Sequence, residues 1–450
     1  MTKKLFGTDG IRGIANQHPM TAEVALSVGR AIAYLSKREG HSPRIIIGKD
    51  TRLSGDMFES SLISGICSMG VNAISVGVIP TPGIAFLTSN MRADAGIVIS
   101  ASHNPMQDNG IKIFKSDGFK LSDEKENQIE ELVFANNMHK LHPAPKELGK
   151  LSRMDDAAGR YVDFVKQTFP QDLNPEGIKV VLDCSNGATY RVAPAVFTEL
   201  GVEITTLFNQ PDGRNINLNC GSQHPEALAA EVLRQKADVG FAFDGDGDRV
   251  IAVDEKGNVL TGDQALALCS AILKKEGKLT NNLVVRTVMS NLGLSVAFQK
   301  LGIDSVFADV GDRYVLKEML AKGAIIGGED SGHIIFLQHH TTGDGLITAL
   351  QVLAAMKKEG KSLSELAGIM TVFPQMLINL DVKKKPKIES VPEIMAAIKQ
   401  VEEKLGDKGR VLVRYSGTQN MCRVMVEGPT KKETETYCRQ IADVVKKMLA

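Results

Sequence analysis

The stretch Phe241-Ala242-Phe243-Asp244-Gly245-Asp246-Gly247-Asp248-Arg249-Val250-Ile251-Ala252-Val253 sets three carboxylates, spaced by glycines, between two apolar runs. The runs read as strands, which makes the acidic segment the loop between them. Alternation with glycine lets three hard oxygen ligands converge on one cation of the Mg²⁺ type. An EF-hand calcium loop is the nearest alternative, since Asp244, Asp246 and Asp248 take its first three ligand positions and Glu255 its last. Arg249 then falls where that loop requires glycine, and the flanks are strands instead of helices. A plain acidic surface turn fits poorly between two apolar runs.

Outward from this loop the same grammar repeats. Arg44-Ile45-Ile46-Ile47-Gly48 precedes a helical pattern near Met57–Met69, and Lys179–Asp183 precedes one near Val192–Leu200. Ala95–Ser100 runs into a polar loop, and Leu283-Val284-Val285 leads to Leu292–Leu301. Continuous apolar runs indicate strands covered on both faces, and their alternation with helices indicates βαβ units in an α/β chain. The end differs. Met376–Val382 alternates like a strand, Pro392–Leu405 is helical, Val411–Arg414 and Arg423–Val426 are two strands, and Thr434–Leu449 is helical. That order is an α+β module.

The chain has 450 residues, enough for about three domains by length alone. Lys+Arg and Asp+Glu are 53 each, so no global charge argues for nucleic acid or an anionic membrane. The six cysteines are scattered with no CxxC pair, which disfavours zinc or a redox dithiol and fits reduced thiols in a cytoplasmic setting. Met1–Gly7 meets a charged turn at once and no long apolar run follows, so neither a signal peptide nor a membrane span is expected.

Four further segments can carry chemistry. Ser100-Ala101-Ser102-His103-Asn104-Pro105, with Asp108–Lys112 behind it, puts a serine on a loop at a strand's end, where it can act as nucleophile or phosphate carrier. A capped turn explains the same residues equally well. Phe6–Gly13 has three glycines at spacing three and Arg12, which could let backbone N–H groups approach a phosphate. Gly327-Gly328-Glu329-Asp330-Ser331-Gly332-His333 offers acceptors, a hydroxyl and an imidazole suited to sugar hydroxyls, or is a polar turn between strands. Arg414-Tyr415-Ser416-Gly417-Thr418-Gln419, with Arg423, fits a phosphate-binding loop or a hairpin turn.

Taken together, these five segments resemble the α-D-phosphohexomutase superfamily, in the family's order and over essentially the whole chain. Phe6–Gly13, Ile97–Ile113, Met154–Tyr161, Val310–Val315 and Thr341–Gly345 are most similar to its bacterial phosphoglucosamine mutase subfamily. The resemblance implies an α/β fold of three related mixed α/β sheet domains plus a C-terminal α+β domain around a central cleft. The expected domains are 1–152 with the phosphoserine loop, 153–255 with the Mg-binding loop, 256–370 with the sugar-binding loop and 371–450 with the phosphate-binding loop.

It also implies a reaction, the interconversion of glucosamine 6-phosphate and glucosamine 1-phosphate. Phosphoglucomutase or phosphomannomutase activity is the alternative within the superfamily. Ser102 would be the phosphoserine, and Asp244, Asp246 and Asp248 would hold one Mg²⁺ per subunit together with phosphorylated Ser102. A sugar 1,6-bisphosphate would be activator and intermediate. Arg12 and Lys112 would line the transfer site, with Lys112 as acid/base or charge stabiliser and His333 assisting proton transfer. Glu329 and Ser331 would bind sugar hydroxyls. Arg414, Ser416, Gly417, Thr418 and Arg423 would hold the phosphate that is not transferred. The implied partners are small sugar phosphates, without nucleic acid or membrane, and the pattern is compatible with a homodimer. One departure stands out. The subfamily's loop continues Ser-Gly-Thr-Glu-Pro, whereas this chain reads Gln419-Asn420, losing a charge and a fixed φ.

Overall fold

Runs of β-branched residues closed by Gly or Asp become the strands of four sheets in the computed structural model, which describes residues 5–7, 9–37, 41–135, 137, 141, 143–415 and 420–450. The first sheet holds β1 (Ile11–Ile14), β2 (Arg44–Lys49), β3 (Asn72–Val78), β4 (Ala95–Ile99), β5 (Asp108–Lys115) and β6 (Leu151–Arg153), in the order β1-β5-β4-β2-β3-β6. β4, β2, β3 and β6 are parallel, while β5 returns antiparallel to β4. The second holds β7 (Lys179–Asp183), β8 (Glu203–Leu207), β9 (Val239–Phe243), β10 (Val250–Asp254) and β11 (Val259–Leu260), in the order β11-β10-β9-β7-β8. In the third, β12 (Leu283–Thr287), β13 (Asp304–Ala308), β14 (Ile326–Gly328) and β15 (Ile334–Phe336) run β13-β12-β14-β15.

One plan underlies all three. Each has a first and second parallel strand, a third parallel strand beside the first, and a fourth that folds back antiparallel: β2-β3-β4-β5, β7-β8-β9-β10 and β12-β13-β14-β15. Every residue of β4, β9 and β10 is buried, as the apolar runs required. Helices Ala22–Ser36, Gly55–Ser68 and Asp123–Ala135 help cover the first sheet, with Phe58, Leu62 and Ile66 packed into the cluster that includes Ile45, Ile47, Ile97 and Ile99. The consequence for function lies in the loops. The connections β4–β5, β9–β10 and β14–β15 are the Ser102, Asp244–Arg249 and Glu329–His333 segments.

Contacts divide the chain into two units, Met1–Val288 with Asp304–Gly368, and Met289–Ile303 with Ile369–Ala450. The second is an antiparallel sheet of β16 (Gln375–Asp381), β17 (Arg410–Tyr415) and β18 (Met421–Glu427) in the order β16-β18-β17. Helices Pro392–Leu405 and Lys431–Leu449 cover one face with Ile394, Val401, Ile441 and Val445, against Val424 and Val426. β16 alternates exposed and half-buried residues along its length, as its sequence does. Helix Leu292–Leu301 belongs to this unit. Asn291 exchanges bonds with the Phe373 backbone at 3.0 Å, and the Leu292 N–H donates to buried Glu427 at 3.0 Å. Among the described residues no helix is long and apolar enough to cross a membrane.

Candidate active site

The loop after β9 is pinned by its own carbonyls. Gly245 O accepts from Ala188 N (2.8 Å), Asp246 O from Thr81 N (2.8 Å) and Gly247 O from Gly345 N (3.0 Å). A side chain at Gly245 would put its Cβ 2.6 Å from the carbonyl oxygen of Ser102, and Gly247 has φ +72°. Only glycine serves both needs, close approach and a left-handed turn. Pinned this way, Asp244, Asp246 and Asp248 are buried and bring carboxylate oxygens within 4.8 Å of one another.

Burial, then the Asp248 and Asp246 charges, push the Asp244 carboxyl well above the usual carboxylate range. Burial and Asp248 also act upward on Asp246, but Lys112 and the Thr81 hydroxyl leave it below its ordinary value. Burial is likewise outweighed at Asp248, by Lys112, His333 and Arg249. Asp246 Oδ1 and Asp248 Oδ1 are buried and accept no hydrogen bond among the described residues. Two buried carboxylate oxygens that accept no hydrogen bond among the described residues, beside a third carboxyl that disfavours its own charge, form a donor set that fits a hard divalent cation.

Ser102 lies against this triad. Its hydroxyl donates to Asp244 Oδ2 at 2.5 Å, and the residue is buried with φ 53°. His103 Nδ1 is 3.4 Å from Ser102 Oγ, a long contact. Burial first, then Arg249 and Arg12, bring the His103 imidazole down to about 4, so it is neutral at pH 7. Lys112, on β5, reaches the triad through Asp246 Oδ2 at 2.9 Å and Asp248 Oδ2 at 3.6 Å, and meets Asp9 Oδ2 at 3.2 Å. Burial alone would lower this ammonium; Asp246, Asp9 and Asp248 instead hold it far above its ordinary value. Arg12, on β1, pairs with Asp9, and the fields of Asp246 and Asp248 also act on it.

From the third sheet, His333 sets Nδ1 3.6 Å from Asp248 Oδ1 and Nε2 3.8 Å from Asp312 Oδ2. Burial acts downward on this imidazole, but Asp248 and then Asp312 raise it. Its Nε2 makes no hydrogen bond among the described residues, and neither does the buried Ser331 hydroxyl. Glu329 Oε1 accepts from Gly311 N at 2.9 Å. Thus the structure gathers Ser102, Asp244, Asp246, Asp248, Lys112, Arg12 and His333, with Glu329 and Ser331 on the adjoining hairpin. The segment Glu329–His333 is a turn between antiparallel strands, the alternative that its sequence offered.

Arg414 and Arg423 sit directly opposite each other on β17 and β18 in the second unit. Like charges facing across a strand pair repel, and a shared anion would relieve them. Ser416, Gly417, Thr418 and Gln419 lie outside the described residues, while Asn420 continues the sheet by accepting from Val382 N at 2.9 Å.

Several participants escaped the sequence reading. Lys120 bridges Asp9 and Asp312, joining the first and third sheets. Thr81 donates to Asp246 Oδ2 at 2.6 Å, and Asn217 donates to Ser102 O at 2.9 Å. Arg249 was visible as the end of the acidic loop, and its N–H donates to Asp244 Oδ1 at 3.2 Å.

Comparison with known proteins agrees with this geometry. Sequence descriptions of the phosphoglucomutase/phosphomannomutase family match in four parts: alpha/beta/alpha domain I at 3–140, domain II at 159–257, domain III at 261–373 and the C-terminal domain at 377–444. The phosphoglucosamine mutase of Syntrophus aciditrophicus is 73% identical over 446 residues, covering 99% of both chains. That of Syntrophobacter fumaroxidans is 61% identical over 442 residues, covering 98% of both. Among solved structures, a phosphoglucomutase/phosphomannomutase family protein of Burkholderia thailandensis superposes with a TM-score of 0.80 at 23% identity, covering 99% of this chain and 97% of that one. The Aspergillus fumigatus N-acetylphosphoglucosamine mutase, in complex with GlcNAc-6P and magnesium, gives 0.70 at 17% identity, covering 98% and 95%. With four sheets, an acidic loop facing a serine, and relatives of this identity over the full length, the chain belongs to the phosphoglucosamine mutase family of the phosphohexomutases and is an isomerase.

Proposed function

We propose that the protein interconverts glucosamine 6-phosphate and glucosamine 1-phosphate by moving phosphoryl groups through Ser102. The observation that carries this reading is the hydroxyl of Ser102, 2.5 Å from Asp244 on a loop facing three buried carboxylates. In the first transfer, the bond from Ser102 Oγ to phosphorus breaks as phosphorus bonds to the free hydroxyl oxygen of the sugar phosphate. The hydroxyl proton passes to Nε2 of His333, a buried nitrogen that makes no hydrogen bond among the described residues. The hexose 1,6-bisphosphate then turns over, and the second transfer breaks its other O–P bond, returning that phosphoryl group to Ser102 Oγ while His333 gives its proton to the sugar oxygen left behind.

Asp244, Asp246 and Asp248 would hold Mg²⁺, which supplies positive charge where the transferring phosphoryl group spreads negative charge. Lys112 stays protonated beside Asp246 and adds charge at the same point, with Arg12 next to it. Glu329 and Ser331 bind sugar hydroxyls. Arg414 and Arg423, with Ser416, Gly417 and Thr418, hold the phosphate that is not transferred, and the facing arginines support that role. The glucosamine substrate is favoured by the name that the 73% and 61% identical relatives carry. Six free cysteines suit a reducing compartment, and we read the protein as cytoplasmic.

The test compares kcat/KM for glucosamine 6-phosphate, glucose 1-phosphate and mannose 1-phosphate, with Mg²⁺ and a catalytic amount of hexose 1,6-bisphosphate. Glucosamine 6-phosphate is expected to lead, without release of free phosphate. Ser102→Ala is expected to lose more than about 10⁴-fold in kcat, as removal of a covalent nucleophile does. Near-parental turnover in that variant overturns the phosphoserine, and preference for glucose or mannose overturns the substrate.

A further inference from the structure

Ser102 holds a left-handed backbone, φ 53°, which a residue with a side chain keeps only when its surroundings over-determine it. Chief among those surroundings is one buried ion pair. Asp50 follows β2 and Ser100 follows β4, strands that pair in parallel with Lys49 beside Ile99. Arg52 lies two residues beyond Asp50, and both side chains are fully buried. Arg52 Nε donates to Asp50 Oδ2 at 2.8 Å. Nη2 donates to the carbonyl oxygens of Ser102 (2.8 Å) and Asn104 (2.7 Å). Nη1 donates to those of Pro105 and Asp108, the latter at 3.0 Å.

The carboxylate completes the ring. Asp50 Oδ2 accepts the Ser100 hydroxyl at 2.6 Å, and Ser100 Oγ in turn accepts Ser102 N–H at 2.9 Å. Both backbone polar groups of Ser102 are therefore held by Asp50 and Arg52, one directly and one through a single hydroxyl. Neither residue has a hydrogen bond to the carboxylate triad, so their effect on it runs through the loop. Asn217, from the second sheet's domain, adds bonds to the same two carbonyls of Ser102 and Asn104. Burial raises the Asp50 carboxyl, and the bonds from Arg52 and Ser100 oppose that rise.

We infer that Asp50 and Arg52 are positioning residues for phosphoryl transfer, aiming Ser102 Oγ at the acidic loop by clamping the four carbonyls from Ser102 to Asp108; this rests on the reading of Ser102 as the phosphoryl carrier. The planar fork is essential to the role. An ammonium keeps the charge but cannot reach a carboxylate and four carbonyls in one plane. The inference separates from plain structural support by where the loss falls. Substrate binding stays, while transfer into and out of Ser102 slows.

The experiment uses the full chain with Mg²⁺ and glucose 1,6-bisphosphate, and follows by intact mass the rate at which Ser102 gains phosphate in a single turnover. Parent, Ser102→Ala, Arg52→Lys and Ser100→Ala are compared, with KM for glucosamine 6-phosphate and melting curves in parallel. Arg52→Lys is expected to be phosphorylated at least about 100-fold more slowly, the scale of a 1 Å misplacement, with KM within about threefold of the parent, as for an interaction made only in transfer. A cooperatively melting Arg52→Lys that gains phosphate at the parental rate overturns the inference. If that variant does not fold, Ser100→Ala decides, because it keeps both charges and deletes the link to Ser102 N–H. Transfer at least about tenfold slower supports the inference, and parental transfer overturns it. A parent that gains no phosphate, or gains it equally in Ser102→Ala, overturns instead the phosphoserine reading beneath it.

Discussion

Lys112→Met separates binding of the cation from use of it. The substitution keeps the side chain's length and removes its charge. Lys112 Nζ lies 2.9 Å from Asp246 Oδ2, 3.2 Å from Asp9 Oδ2 and 3.6 Å from Asp248 Oδ2. At an effective dielectric of about 20, each pair is worth about 5 kcal/mol of attraction before desolvation is counted. Removing one partner of such a buried group typically costs about 3–5 kcal/mol of stability, so the metal-free variant melts lower. The same loss removes a cation that competes for two of the three carboxylates. If only a quarter of one pair survives desolvation, about 1.4 kcal/mol, Mg²⁺ binds about tenfold more tightly. Turnover nevertheless falls about 10²–10³-fold, the effect of deleting one group aimed at the developing charge. Calorimetric Mg²⁺ titration and steady-state assays on parent and variant read both quantities. Weaker Mg²⁺ binding, or turnover within about threefold of the parent, refutes the reasoning.

Two further outcomes are expected. Burial pushes the Asp344 carboxyl up to about 7, against the bonds from Ile347 N, the Tyr161 hydroxyl and Leu346 N. A carboxyl raised in the folded state adds stability that is full below about pH 4 and is lost as pH climbs to about 7. Asp344→Asn should remove that slope, so the parent's denaturation midpoint should fall relative to the variant's between pH 5 and 8; a constant difference counts against it. Arg414→Ala should raise KM for glucosamine 6-phosphate about tenfold or more, since a charge-assisted bond is worth about 1.5–3 kcal/mol. An unchanged KM and rate would move the phosphate site elsewhere.

The residues that could be read in advance are those whose spacing is local. Asp244, Asp246 and Asp248 alternate within one loop, and Ser102 stands in a short run of turn formers between two apolar strands. Runs such as Ile45-Ile46-Ile47 and Phe241-Ala242-Phe243 announced covered strands because every residue in them is buried. What stayed hidden is joined only by folding. Lys120 bridges Asp9 and Asp312, and Arg52 spans from the end of β2 to carbonyls after β4, at separations no local pattern encodes. Thr81 and Asn217 look like ordinary cap and turn residues until the loops they hold are in view. The threefold plan of the sheets was expected from the family resemblance and not from any repeat of residues. The equivalent loops read Ser-His-Asn-Pro, Asp-Gly-Asp-Gly-Asp and Glu-Asp-Ser-Gly-His, with no residue pattern in common.

The discontinuous second unit has a consequence for how the chain is made. Helix Leu292–Leu301 leaves the ribosome between β12 and β13, but the groups that receive it come much later: the Phe373 backbone, then Arg410, which donates to Ser290 O at 2.7 Å, and last Glu427. At cellular synthesis speeds the helix waits on the order of ten seconds for its final partner. During that interval the Asn291 side chain, the Leu292 N–H and the Ser290 carbonyl lack the partners they have in the finished protein. A message cut short after residue 368 would make the interval permanent. The cap of this helix is therefore completed only when almost the whole chain has been made, and a chain ended after residue 368 would leave it open.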